Sequence, residues 1–441
     1  MDGVEIARSR HDRRSADSVP DYSDYVPLSL ETVPPRLAHY DGIAARLGGT
    51  PDDWSVREVG DGNLNFVYIV EGPAGSVCVK QALPYVRLVG ESWPLPLARS
   101  FYEYSALVRQ AERSGHVPEI LHFDGPQALV VMENLAPHII WRKALMARER
   151  HETAAPIMGR FLAETLFRSS DLSLSAETKK REIALFSGNT ALCKITEDLV
   201  FTDPYRDHPL NRWTSPELDA TVAAIRADAE WKIAIQELKY MFLTRAEALV
   251  HGDAHTGSVM VAKAATGEDI RVIDPEFAFY GPMGFDLGAA IANLFLSYYS
   301  QDGRGPDPGP YQAWLLTAIA RLWDTFASRF AELWRTERTG DAYPPTLYEA
   351  QDQTDASEAA LARFLVRLEA DTLGFAGAKM ARRILGLAGV ADLETIEPAT
   401  VRAGCERRAL ALARRLVVDR ERIGSVACAI VEAKGILGEV K

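Results

Sequence analysis

The chain has 441 residues, enough for two lobes or domains that each bury a hydrophobic core. Its 49 Lys and Arg residues against 61 Asp and Glu residues give a net charge of −12, which disfavours non-specific nucleic-acid binding. Four cysteines without a Cys-x-x-Cys pair indicate a reducing compartment, and no apolar run could span a membrane, so we expect a cytoplasmic protein.

Residues 1–30 mix charged residues, Ser and Pro without periodicity, which predicts a flexible N-terminal tail. Apolar residues at helical spacing then predict one helix between Thr32 and Gly48. Alternating and β-branched runs follow, and we expect them to form an antiparallel sheet of about five strands. These runs cover residues 54–59, 66–70, 76–80, 120–123 and 128–132.

A glycine-containing turn, Gly60-Asp61-Gly62-Asn63-Leu64-Asn65, joins the first two expected strands, and Lys80 ends the third. Kinases use this order of elements to fold a flap over the phosphates of ATP, because glycines let backbone N–H groups approach the anion and the lysine supplies a cation. The turn alone is also typical of an ordinary hairpin, but its spacing to Lys80 favours nucleotide binding. The candidate nucleotide-binding residues here are Gly60, Gly62, Asn63, Asn65 and Lys80.

An apolar stripe predicts a helix over residues 97–113. In kinases a helix at this position supplies a glutamate to the strand lysine, and Glu103 is the candidate for that pairing. A solvent-facing Glu103 is an equal alternative. The Gly and Pro residues around Trp93 predict a loop, and beyond residue 132 the composition becomes mainly helical.

The densest group of polar residues follows two short apolar runs, Leu249-Val250 and Val272-Ile273. A glycine turn lies between the runs, so we expect a hairpin-like pair of strands whose ends collect carboxylates and histidines. Carboxylates that close together repel one another unless a cation lies among them, and a divalent metal with a phosphate fulfils this in phosphoryl-transfer sites. Any one of these residues alone would suit a solvated β-turn, but the ordered set favours a site. The set comprises His251, Asp253, His255, Asp274 and Glu276.

The stretch His251-Gly252-Asp253-Ala254-His255-Thr256-Gly257-Ser258 and the stretch from Asp274 to Asp286 resemble the catalytic core of kinase-like phosphotransferases that act on small molecules, such as aminoglycoside and choline kinases. They are more similar still to the 5-methylthioribose kinases. The resemblance implies an α+β, bilobal protein-kinase-like fold, with a small antiparallel β-rich N-terminal lobe at 31–132 and a larger α-rich C-terminal lobe at 133–441. It also implies a homodimer that transfers the γ-phosphoryl group of ATP, with Mg²⁺, to the 1-hydroxyl of 5-methylthioribose in methionine salvage.

The resemblance also implies roles for single residues. Asp253 would accept the proton of the sugar hydroxyl, and Asp274 with Glu276 would hold Mg²⁺. The backbone groups of Glu133 and Leu135 would bind the edge of the adenine ring.

Trp93, Arg382 and Arg383 are the candidate contacts to the sugar. An exposed tryptophan is more often a packing residue, and adjacent arginines in a helix are usually surface charge. The resembled family, however, places Trp93 near the nucleotide and sugar, and it places both arginines on the sugar and the transferring phosphate, a task suited to the forked donors of arginine. His251 and His255 are expected to shape the loop and not to act as bases.

Other functions stay open. A kinase of the same build could act on 5-deoxyribose or an amino alcohol, and it would keep Asp253 and Asp274 but differ in the acceptor pocket. An inactive pseudokinase that serves as a binding module is the alternative of a different class. The intact set of Lys80, Asp253 and Asp274 argues against it.

Overall fold

A computed structural model of the chain describes residues 17–60, 64–87, 90–265 and 267–439. Gly62 and Asn63, two of the candidate nucleotide-binding residues, lie outside the described residues. The same holds for residues 1–16 of the expected N-terminal tail.

The chain divides into two compact units. The first comprises Met1–Glu112 and Val117–Ala136, and the second comprises Arg113–His116 and Pro137–Lys441. The sequence predicts a boundary between the lobes after residue 132, and in the structure the first unit extends to Ala136.

Antiparallel strands form the framework of the first unit. They are β1 (Ser55–Glu58), β2 (Asn65–Glu71), β3 (Ser76–Ala82), β4 (Tyr85–Val86), β5 (Gly90–Pro94), β6 (Ile120–Asp124) and β7 (Leu129–Glu133). Five of them pair in the order β1-β2-β3-β7-β6, which confirms the expected sheet. One face of this sheet is closed by fully buried valines of β2, β3 and β7, namely Val70, Val77, Val79 and Val131.

The helices of the first unit are α1 (Val33–Leu37), α2 (Asp41–Leu47) and α3 (Arg99–Arg113). The single helix expected between Thr32 and Gly48 is therefore two helices. The chain breaks because Tyr40 has an extended backbone, with φ −104° and ψ 95°, and its hydroxyl donates a hydrogen bond to Asp124. The loop expected around Trp93 is also wrong, since Trp93 lies in β5, which pairs with β4 through Pro94 and Gly90.

The segment around Val26 and Leu28 is held against the sheet of the first unit. The backbone N–H of Leu28 donates to Gln81 Oε1 at 2.7 Å, and that of Val26 donates to Gln127 Oε1 at 3.1 Å. The hydroxyl of Tyr68 donates to the Leu28 carbonyl at 3.0 Å. The expectation of a flexible tail is therefore wrong for this segment, because distant side chains satisfy its backbone groups.

The second unit is mainly helical. Its strands are β8 (Ile139–Ile140), β9 (Ala248–Val250), β10 (Val259–Ala264), β11 (Gly267–Val272) and β12 (Phe279–Gly281). Its helices are α4 (Trp141–Met146), α5 (Ala154–Arg168), α6 (Ala176–Phe186), α7 (Thr190–Leu199), α8 (Asp219–Ala227), α9 (Ala229–Thr244), α10 (Met283–Ser300), α11 (Gly309–Thr336), α12 (Thr354–Leu385), α13 (Ala391–Glu394), α14 (Ala399–Val418), α15 (Arg420–Ile423) and α16 (Val426–Glu439). Within the described ranges, none of the helices has the length and apolar character that crossing a membrane requires.

Helix α10 is the centre of the second unit. Every one of its residues from Met283 to Ser300 is buried, although its sequence predicts a single apolar stripe. The reason is that α10 packs against α11, α12 and α14, so its sides are covered by other helices. Such a helix is a rigid support for the loop that leads to Asp253.

The strands before Asp253 and Asp274 do not pair with each other. Strand β9 pairs with β12, whereas β11 pairs with β10, so the expected hairpin-like pair is wrong. The backbone N–H groups of His251 and Gly252, directly after β9, are bound by the carboxylate of Asp286, which ends the strand. The two segments are joined instead by the ring of His251, whose Nε2 lies 2.9 Å from the Ile273 carbonyl.

Candidate active site

The loop after β9 is fixed by the first turn of α10. The carboxylate of Asp286 accepts the N–H of His251 at 2.6 Å and the N–H of Gly252 at 3.0 Å. Gly252 has φ +84°, and a Cβ at this position would lie 2.2 Å from the Phe277 carbonyl oxygen. Only glycine fits such a position, because a side chain would meet immovable backbone. These contacts therefore fix the backbone conformation of the loop directly before Asp253.

Both histidines of the loop are engaged in hydrogen bonds. His255 Nδ1 accepts the N–H of Gly257 at 2.9 Å, and His255 Nε2 lies 3.1 Å from Asp253 Oδ2. Burial lowers the pKa of His255 to about 3, so the ring is neutral at neutral pH. Since Nδ1 accepts a hydrogen bond, Nε2 carries the proton and donates to Asp253. This geometry agrees with the expectation that the histidines shape the loop.

Asp253 lies among positive side chains. Its Oδ1 is 2.9 Å from Lys379 Nζ, and its Oδ2 is 3.2 Å from Arg383 Nη2. Burial alone would raise the pKa of Asp253, but His255, Lys379 and Arg383 hold it well below its usual range. Because His255 is neutral at neutral pH, the two cations are the charges that act there. Asp253 is therefore ionised at any physiological pH.

Arg382 and Arg383 lie in the last turns of α12 with different surroundings. Arg383 donates to Asp253, whereas Nε and Nη1 of Arg382 are buried without a hydrogen-bond partner among the described residues. The side chain of Arg382 is buried, and burial together with the charge of Arg383 lowers its pKa to about 9. A guanidinium in this state lacks the counter-charge and acceptors that an anionic ligand would supply.

A third arginine, Arg142 of α4, borders the same loop. Its Nε lies 3.0 Å from Asp392 Oδ2, and its Nη2 donates to Asn293 Oδ1 at 2.9 Å. Arg142 Nη1 is 2.9 Å from the point where a Cβ on Gly257 would lie, so glycine leaves space for the guanidinium. The positive charge around Asp253 thus comes from two helices.

Asp274 and Glu276 follow β11 and fit a metal site. Their carboxylate oxygens lie within 4.8 Å of each other, a spacing that one Mg²⁺ could bridge, and Mg²⁺ prefers oxygen ligands. Asp274 has φ +69°, a left-handed conformation that is uncommon outside functional sites and turns. Asn189 fixes this segment, because its side-chain amide donates to the carbonyls of Glu276 and Ala278.

The hydroxyl of Ser258 serves the loop. It donates to the Asp253 carbonyl at 3.0 Å, which is a bond within the turn that carries the carboxylate. Because this hydroxyl is used within the loop, the predicted Mg²⁺ ligands in this part of the chain are the carboxylates of Asp274 and Glu276.

In the first unit, Lys80 and Glu103 form a buried ion pair. Lys80 Nζ lies 2.7 Å from Glu103 Oε1, so the pairing is confirmed and the solvent-facing alternative is wrong. Asn65, at the start of β2, is buried, and its Oδ1 accepts a hydrogen bond from Arg99. Asn65 therefore anchors the segment after the glycine turn, whose first residue, Gly60, is exposed.

The three other candidate binding residues of the first unit are Trp93, Glu133 and Leu135, which lie in or near its strands. Trp93 is half-buried in β5. Glu133 ends β7, where its carboxylate accepts the backbone N–H of Glu119, and Leu135 is buried just beyond it. Their roles toward a nucleotide or sugar stay predictions.

The sequence did not identify Lys379, Arg142 or Asn189. The spacing of Lys379 from Arg382 and Arg383, three and four residues, places all three on one helix face and could have marked Lys379. Nothing comparable marks Arg142 or Asn189, because their partners lie far away in the chain.

A glycine-containing loop that presents a carboxylate among cations, and a strand lysine paired with a helix glutamate, are features of phosphoryl-transferring enzymes. Residues 55–327 match the phosphotransferase enzyme family. The methylthioribose kinase of Escherichia coli O45:K1 is 46% identical over 423 residues, which cover 95% of this chain and 99% of that protein. Methylthioribose kinase 1 of Oryza sativa subsp. japonica is 46% identical over 415 residues, covering 92% of this chain and 95% of that protein.

The chain therefore belongs to the methylthioribose kinase family of phosphotransferases, and it is an ATP-dependent kinase. The expected α+β, kinase-like fold class is confirmed, with a smaller antiparallel β-rich unit and a larger helical unit. The expected ATP-dependent activity is confirmed with it.

Proposed function

We propose that the protein transfers the γ-phosphoryl group of ATP to the 1-hydroxyl of 5-methylthioribose, giving 5-methylthioribose 1-phosphate for methionine salvage. The observation that carries the proposal is the placement of Asp253 against Lys379 and Arg383, with the buried guanidinium of Arg382 unpartnered among the described residues. The names of the relatives, which share 46% of their aligned residues with this chain, support the choice of sugar.

The side chains of the second unit divide the work. Asp253 Oδ accepts the proton of the sugar 1-hydroxyl as the hydroxyl oxygen bonds to the γ-phosphorus of ATP. The bond from that phosphorus to the β–γ bridging oxygen breaks, and ADP leaves. Arg382 and Arg383 stabilise the charge on the equatorial oxygens of the moving group. Asp274 and Glu276 would hold Mg²⁺, which neutralises phosphate charge when it is bound. In the first unit, Lys80 would hold the nucleotide phosphates, with its orientation fixed by Glu103.

The low pKa of Asp253 fits this chemistry. In phosphoryl transfer the bond to the leaving group is largely broken before the nucleophile attacks, so the acceptor hydroxyl needs orientation more than early deprotonation. An aspartate held ionised by Lys379 and Arg383 provides a fixed acceptor for the hydroxyl hydrogen bond.

The cations also favour a neutral acceptor over a charged one. An amino alcohol or aminoglycoside carries an ammonium group, which needs carboxylates or aromatic faces around it. The positive charges of Lys379, Arg382 and Arg383 would repel such a group, whereas sugar hydroxyls can accept hydrogen bonds from Arg382 and Arg383.

We expect a panel of acceptors assayed with Mg-ATP to separate the candidate functions. The panel contains 5-methylthioribose, 5-deoxyribose, ribose and choline, and product formation is followed directly. The highest kcat/KM should belong to 5-methylthioribose, with choline inactive. A preference for 5-deoxyribose would move the assignment to another kinase of the same build, and no turnover with any acceptor would favour a binding module.

Replacing Asp274 with alanine should abolish Mg²⁺-dependent binding of ATP. Asp274 and Glu276 would hold the Mg²⁺ that neutralises the phosphate charge, and without Asp274 the remaining carboxylate of Glu276 would face the phosphates as a like charge. Calorimetric titration with ATP in the presence and absence of Mg²⁺ measures the effect. A variant that binds Mg-ATP as tightly as the parent would show that the metal is held elsewhere.

We also propose that the protein is a cytoplasmic homodimer. The composition with four cysteines and no Cys-x-x-Cys pair supports a reducing compartment, and the family resemblance supports the dimer. Sedimentation velocity tests the assembly, since a mass equal to one chain at micromolar concentration would contradict it. Fractionation of cells that express the native protein tests the location.

A further inference from the structure

One face of α12 brings three cations toward a single carboxylate. Lys379 and Arg383 both contact Asp253, at 2.9 Å and 3.2 Å, and Arg382 lies between them in sequence. The proposed transfer uses Arg382 and Arg383 for the phosphoryl group. It gives Lys379, the most buried of the three, no contact with either substrate, only a charge beside Asp253.

The ammonium group of Lys379 is buried beside the loop that carries Gly252 and Asp253. Its side chain is 3% exposed, and Nζ lies 2.9 Å from Asp253 Oδ1 and 3.5 Å from the Gly252 carbonyl. The ring of Phe285 lies below it, with Nζ 4.3 Å from the ring centroid. The described contacts of Lys379 Nζ are therefore with protein groups, and they orient it toward Asp253.

We propose that Lys379 is a positioning residue for the phosphoryl transfer: it fixes the orientation of the Asp253 carboxylate and keeps it ionised until the sugar hydroxyl gives up its proton. The inference rests on the proposed role of Asp253. A compact ammonium group suits the position, because a guanidinium has five N–H donors, while the described contacts of Nζ provide two oxygen atoms and one ring face.

Charged groups around Lys379 make its own charge dependent on pH. Two carboxylates face Lys379, those of Asp253 on the loop and Asp286 on α10. Arg382 and Arg383 lie on the same helix as Lys379. Burial lowers the pKa of Lys379 to about 8, Asp253 opposes that shift, and the two arginines add to it. As pH rises past about 8, Lys379 loses its proton and Asp253 loses one of its two cationic contacts.

Two variants of Lys379 test the role by kinetics. Lys379→Met should lower kcat on the order of 100-fold, while KM for ATP and for the acceptor changes little, because Lys379 contacts neither. The wild-type enzyme should lose activity above about pH 8. Lys379→Arg should keep part of kcat and move this alkaline decline to higher pH, because a guanidinium holds its proton to higher pH than an ammonium group.

Lys179→Met is the matched control. Lys179 is also a buried lysine of the second unit, with its Nζ 2.7 Å from Asp171 Oδ2, and its described contacts do not include Asp253. It should lose stability with kcat per folded molecule unchanged. An equal loss of kcat in the control and in Lys379→Met would overturn the proposal, and so would an unchanged alkaline decline in Lys379→Arg.

A thermal double-mutant cycle tests the contact independently of the acceptor. Lys379→Met should lower the Tm of the wild type but raise the Tm of Asp253→Asn, because in that background it removes a buried cation without a carboxylate. Additive changes in Tm would overturn the proposal even if the enzyme phosphorylates 5-methylthioribose. If the acceptor panel instead fails, the cycle still decides the role of Lys379 toward Asp253.

Discussion

Replacing Asp253 with asparagine should lower kcat by roughly 100-fold or more, the usual scale for a positioned proton acceptor. The amide keeps the size of the side chain, but it cannot take the proton of the sugar hydroxyl. ATP affinity should change far less, because the proposed nucleotide contacts belong to Lys80 and the glycine turn. Steady-state kinetics and calorimetric titration of ATP measure the two effects on one preparation.

The same substitution should lower stability as well. Lys379 and Arg383 are buried, and both lose the carboxylate that compensates their charge. Removing one partner of a buried ion pair typically lowers the free energy of unfolding by about 3–5 kcal/mol. The variant should still fold at room temperature, with a lower Tm.

The stability effect has a defined pH range. The folded pKa of Asp253 lies below the unfolded value, so its contribution is fully present above about pH 4 and is lost as pH falls through the folded pKa. The difference in unfolding free energy between wild type and Asp253→Asn should therefore be constant near neutral pH and shrink in acid. A difference that grows on acidification would contradict the proposed charge of Asp253.

Asp371→Asn provides the matched control for Asp253→Asn. Asp371 is buried in the same helix as Lys379 and accepts a bond from Arg245 at 2.7 Å. Its loss should lower Tm without changing kcat per folded molecule. Near-wild-type turnover of Asp253→Asn, or an equal kcat loss in Asp371→Asn, would remove Asp253 from the proposed mechanism.

The sequence predicts the first unit well because its signals are local. Runs rich in β-branched and aromatic residues mark β2 and β3, an apolar run marks β7, and a short turn joins β2 to β3. Lys80 and Glu103 then meet because one sits in β3 and the other in the helix that follows β5. The expected tail fails at Leu28 because its partner, Gln81, is 53 residues away.

The candidate site depends on contacts that local patterns do not contain. Strand β9 reaches β12 and not the run before Asp274, because Asp286 binds the backbone after Val250. Lys379 lies 126 residues from Asp253, and a lysine in a helix is usually exposed. Only the tertiary structure shows that this lysine is buried and faces a carboxylate.

Arg382→Lys and Arg383→Lys should each lower kcat/KM for the acceptor by a factor on the order of 10 to 1,000, the range for one lost transition-state donor. Lysine keeps the charge but loses the forked donors that match phosphoryl oxygens. The two variants should differ. Arg383 donates to Asp253, so its replacement should act mainly on kcat, whereas Arg382 has Nε and Nη1 unpartnered among the described residues, so its replacement should also raise KM for the sugar.

Arg338→Lys separates these effects from the general loss of a buried arginine. Arg338 is 5% exposed and pairs with Glu349, and its described partners do not include Asp253. It should lower Tm but leave both kinetic constants unchanged. If Arg382→Lys and Arg383→Lys also leave the sugar kinetics unchanged, the pair is no more than buried structural charge. The proposal that these arginines stabilise the moving phosphoryl group is then wrong, because losing a guanidinium that stabilises the transition state must lower kcat/KM.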